Sequence, residues 1–339
     1  MNHTAFFDTL KAGQIADCYL FEGTEEYVKQ QGLAQLCAKL LPAGMESMNL
    51  TELSDPDADA LIAAAETLPF LGDRRVVVVR DCALLAAGRK AEDERKAEAL
   101  TEYVKRVPPT TCLVFYVKGK ADGRKKLYAA LRKKGTVVDF SPMGDAECAD
   151  WARRTMRRAG KRLDADAAAR LIFTVGRDAA LLKQEMDKLV SYLGERDTVT
   201  AEDIDAVCTR STECTVFQMV DAQVAGKNDE AFGLLKDLLQ SGEDRVGILA
   251  MLLRQYRILY HMRCLMEERT PQQAQAALLG IPPFAVARTQ QQARLFDRKR
   301  LQRAYDDLMK LEFEIKAGRV PQEGCVENAM LRLEGILRG

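Results

Sequence analysis

The sequence predicts a mixed architecture, an α/β domain followed by helices alone, and three observations carry that prediction. Short β-branched runs recur through the first 140 residues, with Val76–Val79 the strongest. Helix-like stretches separate them, the alternation expected of βαβ units and a mainly parallel sheet. After Ser141-Pro142 the strand signals fade and helical periodicity takes over.

The elements follow in order. Asp17–Glu22 holds Cys18-Tyr-Leu-Phe21, a short buried strand, then Gly23 and a helical run through Leu41. Arg75–Arg80 and Thr111–Val117 read as strands covered on both faces, because neither alternates with polar residues. Thr136–Phe140 is a further strand, and Glu92–Arg106 a polar helix between two of them. Beyond 141, helices are expected over Asp145–Ala159, Asp164–Val175 and Asp178–Leu193, with Asp145 and Asp164 as N-caps. Thr200-Ala-Glu-Asp203 resembles a capping box with Asp in the place of the usual Glu. From Val216 to Arg338 the pattern is helical, broken at Gly226, Ser241-Gly242, Gly280–Pro283 and Gly318–Gly324. Ile248, Leu249, Leu252, Leu253, Tyr256, Leu259 and Tyr260 form one apolar helix face that needs a partner. A chain of 339 residues suits two or three domains, with boundaries near 141 and 210.

Composition removes several function classes. Fifty Lys+Arg balance 50 Asp+Glu, so no whole-chain charge draws the protein to nucleic acid. Two histidines, His3 and His261, leave little for a histidine dyad or metal cage, and His261 reads as a packing or surface residue. Nine scattered cysteines without C-x-x-C spacing fit reduced thiols in a cytosolic protein. The first residues lack the basic-then-apolar pattern of a signal peptide, and no apolar run approaches a membrane span. A soluble, intracellular, cytoplasmic chain without metal or cofactor is therefore expected.

Nucleotide chemistry is the first candidate to test. A phosphate loop needs Gly-x4-Gly-Lys-Ser/Thr: backbone N–H groups cradle phosphate, Lys reaches the outer phosphates, and the hydroxyl holds Mg²⁺. Phe21-Glu-Gly-Thr-Glu-Glu-Tyr27, at the matching place, has one glycine, no Lys and three carboxylates. Gly119-Lys-Ala-Asp-Gly123 has the wrong spacing, and Val79-Arg80-Asp81 is a weak substitute for the Asp-Glu pair of an ATPase. No nucleophile elbow or His-Glu-x-x-His is present, and Glu312 and Glu314 read as a solvated face. No catalytic residue emerges.

Two other signals do. Lys118–Lys134 carries eight basic residues against one acid, and Arg153–Arg162 six against none. Such runs attract phosphate without regard to sequence, although solvated helix faces look the same; the aromatics available for base stacking are few, Tyr128 and Trp151. Separately, Glu66-Thr-Leu-Pro-Phe-Leu-Gly72 is a turn that displays Leu68, Phe70 and Leu71. Turns are normally polar. Either these side chains fold back on the domain or they form an apolar anchor for a partner.

Tyr19–Tyr27, Glu66–Arg75, Leu181–Leu189, Phe217–Ala222 and Leu311–Gly318, taken in that order, resemble the delta subunit of the bacterial DNA polymerase III clamp loader. The resemblance implies an AAA+-like α/β domain with a degenerate nucleotide site (1–140), a small helical lid (141–210) and a helical collar used for oligomerisation (211–339). It implies a non-ATPase part of the polymerase holoenzyme, itself a nucleotidyltransferase complex, that binds and opens the sliding clamp for loading on primed DNA. The implied partners are the clamp, the ATPase subunits, a delta-prime-like subunit and primer-template DNA. The clamp-binding element maps onto Leu68, Pro69 and Phe70. Family members commonly pair Leu directly with Phe, whereas Pro69 intervenes here, so Leu71 competes with Leu68 as second anchor. Lys125, Lys126 and Lys133 are the candidate DNA contacts. The alternative is a nucleic-acid-dependent AAA+ ATPase with a divergent phosphate loop, and a plain structural scaffold is a third reading.

Overall fold

The computed structural model describes residues 1–86 and 94–338. Its backbone divides into two compact units, Met1–Met143 and Gly144–Gly339.

The first unit is built on five parallel strands: β1 (Cys18–Glu22), β2 (Leu50–Ser54), β3 (Arg75–Arg80), β4 (Thr111–Tyr116) and β5 (Thr136–Asp139). Their order is β2-β3-β4-β1-β5. The sequence reading lacks β2. It is an edge strand with Thr51, Glu52 and Ser54 among its five residues, so only one side has to match the sheet and no apolar run marks it. The central strands β1 and β4 are buried throughout, as their uninterrupted apolar runs predict. Among the described residues six α-helices flank the sheet: α1 (His3–Lys11), α2 (Glu26–Leu40), α3 (Glu46–Asn49), α4 (Ala58–Glu66), α5 (Glu94–Val104) and α6 (Lys126–Lys134). Of the helix expected from Glu92, residues 92 and 93 lie outside the described residues. One core joins Leu20, Leu61, Val77, Val79, Tyr103, Leu113, Phe115 and Leu131. A second group is aromatic: Phe6 meets Tyr19, Phe21 and Phe140 with ring centroids 5.6, 5.1 and 6.1 Å apart. Edge-to-face rings at such distances add to the area they bury.

Apart from one parallel bridge between Arg162 and Thr198, the regular elements among the second unit's described residues are helices: α7 (Asp145–Arg158), α8 (Ala165–Val175), α9 (Ala179–Leu193), α10 (Ala201–Val207), α11 (Thr212–Val224), α12 (Asn228–Gln240), α13 (Arg245–Glu267), α14 (Gln272–Leu279), α15 (Pro283–Arg294), α16 (Arg298–Lys316) and α17 (Cys325–Arg338). The carboxylates of Asp164, Asp178, Asp244 and Asp297 accept from N–H groups of their first turns. Asp145 does not. Gly144 occupies the cap, and Asp145 sits in the first turn, where it still complements the helix dipole. The Thr200–Asp203 capping box forms in both directions, so the shorter acid serves. Residues 216–337 share a core of their own, with Ile248, Leu249, Leu252, Tyr256 and Leu259 on its inner face. A buried polar chain crosses it. The Tyr256 hydroxyl donates to Gln223 Oε1 (2.9 Å), and Gln223 Nε2 donates to the Met330 carbonyl (2.8 Å). All three helices, α11, α13 and α17, are thereby held in register.

Candidate functional site

Parallel α/β sheets bind ligands beyond the carboxyl ends of their strands, where the strand order reverses. Here that place is the end of β1, between β4 and β5. Gly23 follows β1 with φ +117°, and a Cβ there would lie 2.3 Å from the Phe140 carbonyl carbon. Gly23 is therefore needed for close backbone packing. Its N–H donates to the Gly119 carbonyl (2.7 Å), and the Glu25 N–H, at the start of α2, donates to the Phe140 carbonyl (2.8 Å). A helix N-terminus that cradles phosphate keeps such N–H groups open.

The rest of the crevice is filled by Lys29, one turn further along α2 and fully buried. Its Nζ donates to the Gly23 carbonyl (2.8 Å) and the Val117 carbonyl (2.9 Å) and pairs with Glu26 Oε2 (2.8 Å). An ammonium has three protons, and all three are engaged. The Tyr116 ring lies 4.8 Å from Nζ, and its hydroxyl donates to Glu26 Oε1 (2.7 Å). Burial, reinforced by that hydrogen bond to Glu26, pushes the Tyr116 phenol well above its usual range. The Arg80 guanidinium lies over the same Tyr116 ring, 4.7 Å from its centroid, and pairs with Glu52 (2.6 Å). The crevice thus holds an internal cation where a nucleotide site would hold phosphates.

The second candidate lies between α4 and β3. Leu68, Phe70 and Leu71 are 76%, 51% and 73% exposed, and Pro69 is half-buried. Leu71 has φ +49°, a left-handed conformation that costs an L-residue with a side chain about 1–2 kcal/mol. The backbone beneath is held at both ends. Asn49, fully buried at the end of α3, accepts from the Phe70 N–H (2.7 Å) and donates to the Phe70 carbonyl (2.9 Å). Arg75 Nη1 donates to the Thr67 carbonyl (3.2 Å), and its Nη2 to Thr51 Oγ1 (2.7 Å). Gly72 sits where a Cβ would come 2.9 Å from Pro42 Cγ. The result is a fixed loop with apolar tips turned to solvent. Half of the Phe70 ring is covered, so truncating it touches folding as well as any docking. Sequence reasoning found the tips and missed Asn49, Arg75 and Lys29.

The basic runs are only partly free. Lys118, Lys120, Arg124 and Lys126 pair with Asp81 (3.3 Å), Asp139 (2.6 Å), Asp122 (2.8 Å) and Glu98 (3.6 Å). Lys125 is half-buried at the N-cap of α6. Lys133 is exposed between Arg132 and Lys134 in the last turn of α6, where positive charge complements the dipole. In the second run Lys161 caps the end of α9 through the Gly194 and Arg196 carbonyls (2.6 and 2.8 Å), while Arg154, Arg157, Arg158 and Arg162 are exposed. His261 is exposed beside the Tyr260 ring. Among the described residues, no group of three or more His, Cys, Asp or Glu is placed to hold a metal ion. No helix among them is long and apolar enough to cross a membrane.

Comparison with known proteins bears on both halves. Residues 19–141 match the family described as DNA polymerase III, delta subunit, and residues 213–333 match its C-terminal domain. The chain belongs to the DNA polymerase III delta-subunit family. It is 28% identical to the DNA polymerase III subunit delta of Bacillus subtilis (strain 168), over 96% of this chain and 95% of that one. The solved structure of the Bacillus subtilis DNA clamp loader delta protein aligns with a TM-score of 0.58 at 27% identity, covering 98% of this chain and 99% of its own. The α/β-plus-helical fold class expected from the sequence is the one this family has.

Proposed function

We propose that this chain serves a clamp loader as its non-ATPase delta subunit: it docks on the sliding clamp through Leu68, Phe70 and Leu71, with Pro69 stiffening the loop, and favours clamp opening for loading on primed DNA. The observation that carries the reading is the pairing of a rigid, apolar, solvent-turned loop with a nucleotide crevice occupied by Lys29. A subunit that grips a partner without turning over ATP needs the first and has no use for an open form of the second. ATP hydrolysis falls to partner subunits, and residues 211–339, with their separate core, act as the collar that joins those subunits and a delta-prime-like neighbour. Residues 141–210 are the lid. Lys125, Lys126 and Lys133 face primer-template DNA, with Lys133 the freest of the three.

Phe70→Ala tests the docking. A Phe side chain offers about 200 Å² of apolar surface, of which about half remains to be covered by a partner. At about 25 cal/mol per Å², its loss weakens clamp binding by about 2.5 kcal/mol, or roughly 70-fold. Surface plasmon resonance against the immobilised clamp measures this; an unchanged Kd removes Phe70 from the interface.

A further inference from the structure

We propose that Asn49 is a positioning residue for clamp docking, a clasp that holds the loop in its binding conformation before the clamp arrives; this rests on the docking reading above. The geometry is specific. The Asn49 side chain is completely buried, yet its amide spends both functions on one residue's main chain, accepting from the Phe70 N–H (2.7 Å) and donating to the Phe70 carbonyl (2.9 Å). A second Nδ2 proton reaches the Met45 carbonyl (3.3 Å) and fixes the amide to its own short helix. An amide that mimics a strand partner in this way fixes the backbone of the residue it grips while leaving its ring free to project.

Two further features show that the gripped conformation is one the loop would leave if released. Leu71, next in the chain, holds φ +49°, a region that residues with side chains seldom occupy unless the surroundings impose it. Leu68 and Leu71 are largely exposed and only half of the Phe70 ring is covered, so side-chain burial alone holds the loop weakly. Without Asn49 the segment between Thr67, held by Arg75, and Gly72, packed against Pro42, loses its central tether. Docking would then have to order it, and affinity falls by the cost of that ordering.

The test is a double-mutant cycle on the full chain, with clamp affinity, thermal stability and hydrogen exchange of the 66–74 peptide as readouts. Asn49→Ala should weaken clamp binding about tenfold and speed exchange in that peptide. In a Phe70→Ala background the same substitution should cost less than twofold, because the ring it presents is gone. A purely structural role predicts otherwise: the same fold loss in both backgrounds, or an affinity within twofold of the parent, overturns the inference. If Phe70→Ala alone leaves clamp affinity unchanged, the docking reading fails and the clasp falls with it, an outcome distinct from the failure of the clasp alone. Should Asn49→Ala not fold, Asn49→Asp takes its place. It keeps the acceptor for the Phe70 N–H and removes the donors to both carbonyls, and the same two criteria apply.

Discussion

Replacing Lys29 by Met should destabilise the α/β unit strongly while creating no nucleotide site. The side chain is fully buried, and Met fills nearly the same volume, so little apolar contact is lost. What is lost is the ammonium. The carbonyls of Gly23 and Val117 each lose a charged donor at 2.8 and 2.9 Å in a buried setting. An abandoned buried acceptor costs about 1–3 kcal/mol. Glu26, by contrast, is 45% exposed, and water can take the place of its lost partner. The sum is about 2–6 kcal/mol, or a fall in melting temperature of roughly 4–24 °C at the 2–4 °C per kcal/mol of a domain this size. Glu26→Gln is the control, and as the half-exposed member it should cost under about 1 kcal/mol. Trp151 is the sole tryptophan and lies in the other unit, so its fluorescence would follow the wrong transition. Hydrogen exchange at the amides of β1 and β4 under denaturant follows the right one. If Lys29→Met stays within about 0.5 kcal/mol of the parent, the ammonium is not what closes the crevice.

Three further outcomes follow from the same geometry. Calorimetric titration of the isolated chain with Mg-ATP should show no binding, since the Glu25 N–H and the Lys29 ammonium are already engaged; micromolar affinity would contradict the filled crevice. Charge reversal at Lys125, Lys126 and Lys133 should reduce DNA-dependent loading and flatten its salt dependence, with most of the effect from Lys133; loading unchanged across salt would make these residues solvated faces only. In the second unit, burial pushes the Asp221 carboxyl up from 3.8 to about 6 against the pull of Arg288, with which it pairs. Between those values the folded chain holds a proton the unfolded chain has released, so this group lowers stability as pH rises through the window. Urea titrations of Asp221→Asn should then show stability improving relative to the parent from pH 4 to 6 and level above it, whereas a gap that moves the other way would refute the raised pKa.

How far the fold was legible depended on what each segment must satisfy locally. β3 and β4 are covered on both faces, so nearly every residue had to be apolar and the runs were plain. β2 has one neighbour, β3, and its mixed sequence shows it. Helix breaks were visible where glycine supplies the left-handed residue, as at Gly226, Gly242 and Gly318. The break between α13 and α14 was not, because Arg269 takes φ +56° there and no glycine marks it.

The candidate site divides along a different line. Leu68, Phe70 and Leu71 were legible because large apolar side chains in a turn break a local rule, and a broken local rule can be seen in a single sequence. Lys29 and Asn49 break none. Each lies on an ordinary helix, where a lysine or an asparagine suggests solvent. Their role comes from atoms far along the chain: Val117 is 88 residues from Lys29, and Phe70 is 21 from Asn49. In both cases the partner atoms that matter most belong to the main chain, which every residue type possesses. A salt bridge between side chains leaves two matching charges in a sequence, whereas a clasp on a peptide group leaves one polar residue with no visible counterpart. Residues that shape a site by gripping backbone are therefore the ones that only the folded chain reveals.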